Sequence, residues 1–299
     1  MGGRIALVTG AAGFTGRYLV PALQARGFHV VGLGMGMSVA DRDIACDLTD
    51  AAAVRAAVSQ VHPTHVAHLA ALAFVAHGDA RAFYDVNLFG TLNMLDALGV
   101  LEKPPEKVLI ASSANVYGTP GVGLIDEGVC PAPVNHYACS KLAMEHMART
   151  WFDRLPIVIT RPFNYTGVGQ DEKFLIPKIT AHFKRREPDL ELGNLDVSRD
   201  FSDVRDVVAA YVALLESDVH SEVFNVSSGV AVALREVLRM MRDLSGHEID
   251  VRVNPAFVRA NEIPVLRGSY GRLASAVGFK PRYTLADTLA WMYAGWPLP

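Results

Sequence analysis

The chain has 299 residues, 51% of them hydrophobic and 20% charged, with a formal net charge of −3. That length suggests about two domains around a large core, and the composition is that of a soluble globular enzyme. The small negative charge excludes a general basic field for nucleic acid or an acidic membrane. No apolar run approaches the roughly 20 residues that span a bilayer. Met1-Gly2-Gly3 leads straight into the first strand, so no signal peptide is expected. Cys46, Cys130 and Cys139 are odd in number and lack metal-type spacing, which fits a reducing cytoplasm rather than a disulfide framework.

In chain order, Ile5–Val8 reads as a buried strand, followed at once by glycines at 10, 13 and 16 and then by a helical pattern through Tyr18, Leu19, Ala22 and Leu23. This context suits a dinucleotide diphosphate. Gly10 makes the tight turn, Gly13 admits the diphosphate to the backbone, and Gly16 lets the helix lie close on the sheet. Pro21 predicts a mild kink in that helix. Phe28–Leu33, Ile44–Cys46, His65–Ala70, Val108–Ala111 and Ile157–Thr160 read as further strands. Ala51–Val58, Phe83–Leu98 and about Tyr137–Phe152 read as the helices between them. Such alternation means an α/β fold, a Rossmann-type doubly wound parallel sheet. Beyond Pro162 the pattern breaks. Residues 164–200 suit a substrate-binding cap, with Lys184-Arg185-Arg186 a solvated helix end beside Glu187. Phe201–Leu215 reads as a helix opened by Ser202 or Asp203, and Val223–Val226 as a strand. Helices at Leu234–Leu244 and Thr284–Tyr293 complete a smaller C-terminal α/β lobe. The expected organisation is a dinucleotide-binding domain over 1–163, rejoined by about 201–227, and a substrate lobe over 164–299.

Tyr137 and Lys141 stand four residues apart at the start of a helical segment, hence on one face. A phenol titrates near ~10, and a neighbouring ammonium is expected to stabilise the phenolate; a shift of about 3 units takes roughly 4 kcal/mol. Ser113 lies just past the fifth strand, where open α/β sheets bind ligands, and its hydroxyl can hold a carbonyl against Tyr137. The competing reading of Ser113 is a serine that caps the strand end. His62, His65 and His68 have a metal-like look, but an i, i+3 pair in a strand faces opposite ways, so no metal site is expected.

Together with Thr9–Gly16, Asp47-Leu48, His68–Ala71, Asn87 and Arg161-Pro-Phe-Asn164, these residues resemble the extended short-chain dehydrogenases/reductases over nearly the whole chain. The resemblance implies catalysis by Ser113, Tyr137 and Lys141. It implies a cofactor site of Gly10, Gly13, Phe14, Thr15, Gly16, Asp47, Leu48, Leu69, Ala70, Ala71 and Asn87, with Tyr137 and Lys141 shared. The segments 193–205 and 259–269 resemble the GDP-sugar branch, most of all the GDP-4-keto-6-deoxy-D-mannose reductases that form GDP-D-rhamnose. That likeness places Asn164, Lys178, Arg199, Arg259 and Glu262 around the nucleotide of a GDP-linked keto-deoxy sugar, in keeping with the forked bonds that arginine makes to phosphate. It also implies a homodimer through a four-helix bundle of the Phe83–Leu98 and Tyr137–Phe152 helices.

Two departures stand out. Leu72-Ala-Phe74 makes the sugar pocket more apolar than in relatives, and Gly32-Leu-Gly34 lacks the carboxylate that grips an adenosine ribose. An NADP 2′-phosphate therefore meets no repulsion there, and NADPH is favoured over NADH, with Arg42 a candidate partner. A 4-epimerase with retained NAD would use the same triad. A 4,6-dehydratase needs a carboxylate one or two residues after Ser113, where this chain has Ala114 and Asn115. A non-catalytic dinucleotide-binding regulator would have lost the tyrosine or the lysine.

Overall fold

In a computed structural model, residues 3–73, 79–121, 123–258 and 264–295 are described. The first half folds as β1 (Ile5–Thr9), α1 (Gly16–Gln24), β2 (His29–Gly34), β3 (Arg42–Ala45), α2 (Ala51–Val61) and β4 (His65–His68), then α3 (Ala80–Tyr84), a π turn (Asp85–Phe89), α4 (Gly90–Gly99), β5 (Lys107–Ala111), α5 (His136–Arg149) and β6 (Ile157–Pro162). Side-chain alternation explains why helices cover both faces of the sheet. In β1, Ala6 and Val8 pack with Leu19 and Leu23 of α1. Leu7, between them, packs on the other face with Val58, Met94 and Met144. α1 runs through Pro21, whose carbonyl accepts from the Ala25 N–H at 2.9 Å, so the ring costs one donor without ending the helix. The stretch expected as one helix from Phe83 begins at Ala80 and carries the π turn in its middle.

The second half contains β7 (Asn164–Thr166), α6 (Leu175–Arg185), β8 (Asp189–Leu192), β9 (Ser198–Asp203), α7 (Val204–Leu215) and β10 (Glu222–Val226), followed by β11 (Ala231–Ala233), α8 (Leu234–Ser245), β12 (Asp250–Val253), β13 (Val265–Leu266), α9 (Gly271–Val277) and α10 (Leu285–Ala294). Residues 201–203 are strand rather than helix. Helix α7 starts at Val204 because the Asp203 carboxylate caps it, accepting from Arg205 N at 2.8 Å. β10 pairs in parallel with β6 and completes a seven-stranded parallel sheet, ordered β10-β6-β5-β4-β1-β2-β3. β7, β9, β11 and β13 form a small second sheet, and β8 pairs with β12. Ile179, Phe183, Val237, Met241 and Leu289 pack a separate core there. The segment 164–200, expected as a cap, is thus strand and helix, and it shares this core with α8 and α10. No helix among the described residues is long and apolar enough to cross a membrane.

Strand order reverses between β1 and β4, so the carboxyl ends of these strands open a crevice of the kind that binds ligands.

Candidate active site

The glycine turn sits at this crevice. Gly10 has φ +69°, and a Cβ there would stand 3.0 Å from the backbone nitrogen of Ala70. A Cβ on Gly16 would stand 2.4 Å from the Ala11 carbonyl. Gly10 is therefore packed on the chain after β4, and Gly16 on the backbone of the turn itself. The first turn of α1 has no side-chain cap, whereas α2, α5 and α7 are capped by Asp50, Asn135 and Asp203. An uncapped, glycine-led helix start suits an anionic ligand. Leu69, Ala70 and Ala71 follow β4, and Ala70 N donates to Thr9 Oγ1 at 3.0 Å. Asp47 is exposed, its carboxylate held by Thr49 and thereby kept below the usual range. Leu48 is buried against Gly90.

A cavity of about 40 Å³ opens between Gly10–Ala12 and Leu33–Gly36, with Asp43 in its wall. Asp43 replaces nothing at the end of β2; it reaches in from β3. Ser38 donates to both its oxygens, from N at 2.9 Å and Oγ at 2.7 Å, and a Cβ on Gly32 would stand 2.2 Å from Oδ1. The absence of an acid in Gly32–Gly34 hid this carboxylate from the sequence. Arg42 lies on β3 and is exposed.

Tyr137, Lys141 and Glu145 follow one another at four-residue steps along α5, and all three are buried. The Lys141 ammonium donates to the Ala111 carbonyl at 2.7 Å, at the end of β5. Burial pushes this lysine down to about 8, and Glu145 pulls it back up. The Tyr137 phenol does not show the expected depression. Burial pushes it up to about 12, against the opposing effect of the nearby Ser113 hydroxyl. The phenol is a neutral donor at pH 7 because desolvation outweighs every nearby favourable group. Ser113 Oγ also accepts from Asn115 N and Nδ2, each at 3.2 Å, so it caps the 3₁₀ turn Ala114–Tyr117 while it meets the phenol. The capping reading of Ser113 is therefore seen, at the 3₁₀ turn rather than at the strand end, with the same residue beside the phenol.

Asn87 occupies the π turn, a distortion frequent at functional sites. Its Oδ1 accepts from Leu72 N at 2.9 Å and its Nδ2 donates to Ser140 Oγ at 3.0 Å, which ties the chain after β4 to α5. His68 is fully enclosed, with Nδ1 2.9 Å from Thr9 Oγ1 and Nε2 2.9 Å from Thr91 Oγ1, whereas His65 packs edge-on against Phe28. The two rings serve different packing layers.

Asn164 lies on β7, and its Nδ2 is buried without a hydrogen-bond partner. Next to it, Tyr165 stacks on Phe14 at 6.1 Å and shares a 2.8 Å hydrogen bond with Thr15 Oγ1, joining the second lobe to the glycine turn. Lys178 donates to the Glu191 carbonyl at 2.7 Å and lies 4.8 Å from the Phe257 ring centroid. Arg199 donates to the Ser198 carbonyl at 3.0 Å and reaches the Pro264 carbonyl at 3.4 Å. These two cations hold the described flanks of the segment 259–263. Arg259 and Glu262, like Phe74 of the apolar pocket, lie outside the described residues. Residue spacing alone missed Asp43, Glu145 and Tyr165. Glu145 had a signal, since it continues the four-residue step of Tyr137 and Lys141; the other two are met only across the fold.

Comparison with known proteins places this architecture. A family model described as GDP-mannose 4,6 dehydratase matches residues 7–292. The chain is 34% identical over 279 residues to GDP-6-deoxy-D-talose 4-dehydrogenase of Aggregatibacter actinomycetemcomitans, covering 93% of this chain and 92% of that protein. It is 36% identical over 245 residues to GDP-6-deoxy-D-mannose reductase of Pseudomonas aeruginosa, covering 78% and 80%. The structure of RMD from Pseudomonas aeruginosa complexed with NADPH superposes with a TM-score of 0.86 at 32% identity, covering 98% of each chain. A solved protein of Burkholderia cenocepacia J2315, provisionally described as an epimerase, reaches 0.91 at 50% identity over 97% of each.

Proposed function

The chain belongs to the GDP-mannose 4,6 dehydratase family of extended short-chain dehydrogenases/reductases, and we propose that it is an oxidoreductase that reduces the C4 ketone of a GDP-4-keto-6-deoxyhexose to a GDP-6-deoxyhexose such as GDP-D-rhamnose. NADPH is the favoured cofactor and NADH the alternative. The observation that carries the proposal is a neutral phenol, Tyr137, buried beside Ser113 and one helical turn from Lys141, whose ammonium is held on the Ala111 carbonyl at the carboxyl end of β5.

The residues fit the dinucleotide. In this proposal Gly10, Gly13, Phe14, Thr15 and Gly16 receive the diphosphate, Asp47 and Leu48 flank the adenine, and Leu69–Ala71 and Asn87 line the groove. Bound there, the cofactor supplies a hydride to C4. Ser113 holds the ketone oxygen, and Tyr137 passes its proton to that oxygen as the alcohol forms. Lys141, charged below about pH 8, stabilises the phenolate left behind and binds the nicotinamide ribose. The unpartnered Asn164 amide gives β7 a donor for the nucleotide sugar. Lys178, Arg199, Arg259 and Glu262 complete that site. The cofactor unit comprises 1–163 and about 201–227, and the rest of 164–299 is the substrate lobe.

Dehydration is disfavoured despite the family's description, because Ala114 and Asn115 occupy the turn where that chemistry needs a carboxylate, and Asn115 is engaged with Ser113. The epimerase neighbour keeps one second reading, a 4-epimerase with retained NAD. The deciding experiment supplies GDP-4-keto-6-deoxymannose with NADPH and then NADH, follows nicotinamide absorbance and identifies the sugar by NMR. Oxidation of NADPH with a new C4 alcohol is expected. Protein purified with bound NAD that oxidises neither cofactor sinks the reductase in favour of the epimerase.

The working form is a cytoplasmic homodimer. Phe89 is half exposed beside the partly buried Leu88 and Leu92, and a bundle of α4 and α5 from two copies covers them. Light scattering is expected to give twice the 32.3 kDa chain mass; a single-chain mass contradicts the dimer.

A further inference from the structure

Three consecutive residues at the end of β5 each meet one residue of the buried face of α5. The Ala111 carbonyl accepts from Lys141 Nζ at 2.7 Å. The Ser112 hydroxyl donates to Glu145 Oε1 at 2.6 Å. Ser113 stands beside the Tyr137 phenol and lowers its pKa. Glu145 is the member of this register that the reduction does not use. It is 1% exposed and paired with Arg161, itself 3% exposed, through Nε to Oε1 at 2.9 Å and Nη2 to Oε2 at 2.6 Å. Arg161 continues to the Tyr117 hydroxyl at 2.9 Å, which donates to Asn225 Oδ1 at 2.7 Å.

We propose that Glu145 is a positioning residue of the reductase: its buried carboxylate, four residues along α5 from Lys141, is the counter-charge on that lysine's face of the helix and, through Ser112, fixes the strand end that carries Ser113. This rests on the reductase proposal for its catalytic meaning. Stability alone does not call for a charge here, because buried ion pairs replaced by apolar groups of similar size are often no less stable. The placement does something a neutral pair would not. Lys141 faces neutral His68 from β4 and the neutral phenol of Tyr137 on its own helix. Behind them stand Arg161 on β6, Tyr117 on the 3₁₀ turn, Tyr165 on β7 and Tyr211 on α7. On the outer side, Asp85 of the π turn pairs with Arg81 at the surface, and Tyr84 with His136. Among these groups Glu145 is the buried carboxylate, one helical turn from the ammonium.

The test labels the seven lysines with ¹³Cε and assigns Lys141 by Lys141→Arg. In the cofactor-free wild type Lys141 is expected to titrate near 8. In Glu145→Gln it is expected to move at least about one pH unit lower, a tenfold change in proton affinity. The alkaline limb of the kcat profile should move with it, while KM for the nucleotide sugar holds. Glu145→Gln leaves Arg161 unpaired and invites misfolding, so the double variant Glu145→Gln/Arg161→Met is measured as well. A structural role predicts that the double variant regains the wild-type Lys141 titration; the positioning role predicts that it stays low. An unmoved Lys141 in the single variant, or its recovery in the double, overturns the proposal. A wild type that fails to reduce the keto sugar sinks the reductase proposal, and the NMR titration still decides the role of Glu145.

Discussion

Tyr137, the proposed proton donor, shows how burial sets a group's resting state. Desolvation pushes the phenol up to about 12, so at neutral pH it holds the proton that a reduction must donate. The same burial pushes Lys141 down to about 8, so its charge is present below that pH and lost above it. Tyr137→Phe removes the proton and leaves the glycine turn intact. Turnover is expected to fall about 10²–10⁴-fold, with cofactor affinity by fluorescence titration unchanged. Near-normal turnover excludes Tyr137 as the donor. At the same scale Asp43, reaching in from β3, puts a carboxylate in the wall of the cavity beside Gly32–Gly34, where the strand end itself has none.

Secondary-structure elements are stitched at the crevice by side chains from several strands. His68 of β4 bridges Thr9 of β1 and Thr91 of α4, and burial pushes its imidazole down to about 3. An unfolded histidine titrates near ~6.5, so between those values the unfolded chain binds a proton that the native chain refuses. Stability from this group is therefore complete above about pH 6.5 and lost as pH falls, with a limiting slope of about 1.4 kcal/mol per pH unit. Thermal melts between pH 7 and 5 are expected to decline, and His68→Gln to make the decline shallower. An identical slope in the variant argues that His68 is not held neutral. The π turn belongs here too, since it allows Asn87 to bond both Leu72 and Ser140 from the middle of a helical stretch.

At the scale of the molecule, the seven-stranded sheet stands with a small second sheet and a separate core cluster. Arg205 ties α7 to the C-terminal elements, bonded to Asp203 at 2.8 Å and lying 3.6 Å from the Tyr283 and 4.0 Å from the Trp291 ring centroids. The parallel sheet, the glycine turn, and the Tyr137–Lys141 pair were legible in residue order, because strand and helix periods and four-residue steps are local properties of a chain. Less of the second lobe was legible. Its strands are short and pair across distance, as β9 does with β7, β11 and β13, so a segment such as Phe201–Asp203 looked helical until its partners were in place. Local order likewise suggested a phenol eased by its lysine, a β2 end free of acid, and a Ser113 with two competing roles. Folding brought Ser112 to Glu145, Asp43 to the glycine turn and Tyr165 to Thr15. The hydrogen bonds among those meetings join residues 33 and 150 positions apart, and burial of Tyr137 in the folded chain reversed the expected direction of its shift. Desolvation is a property of what surrounds a group on every side, which no stretch of neighbours along the chain specifies.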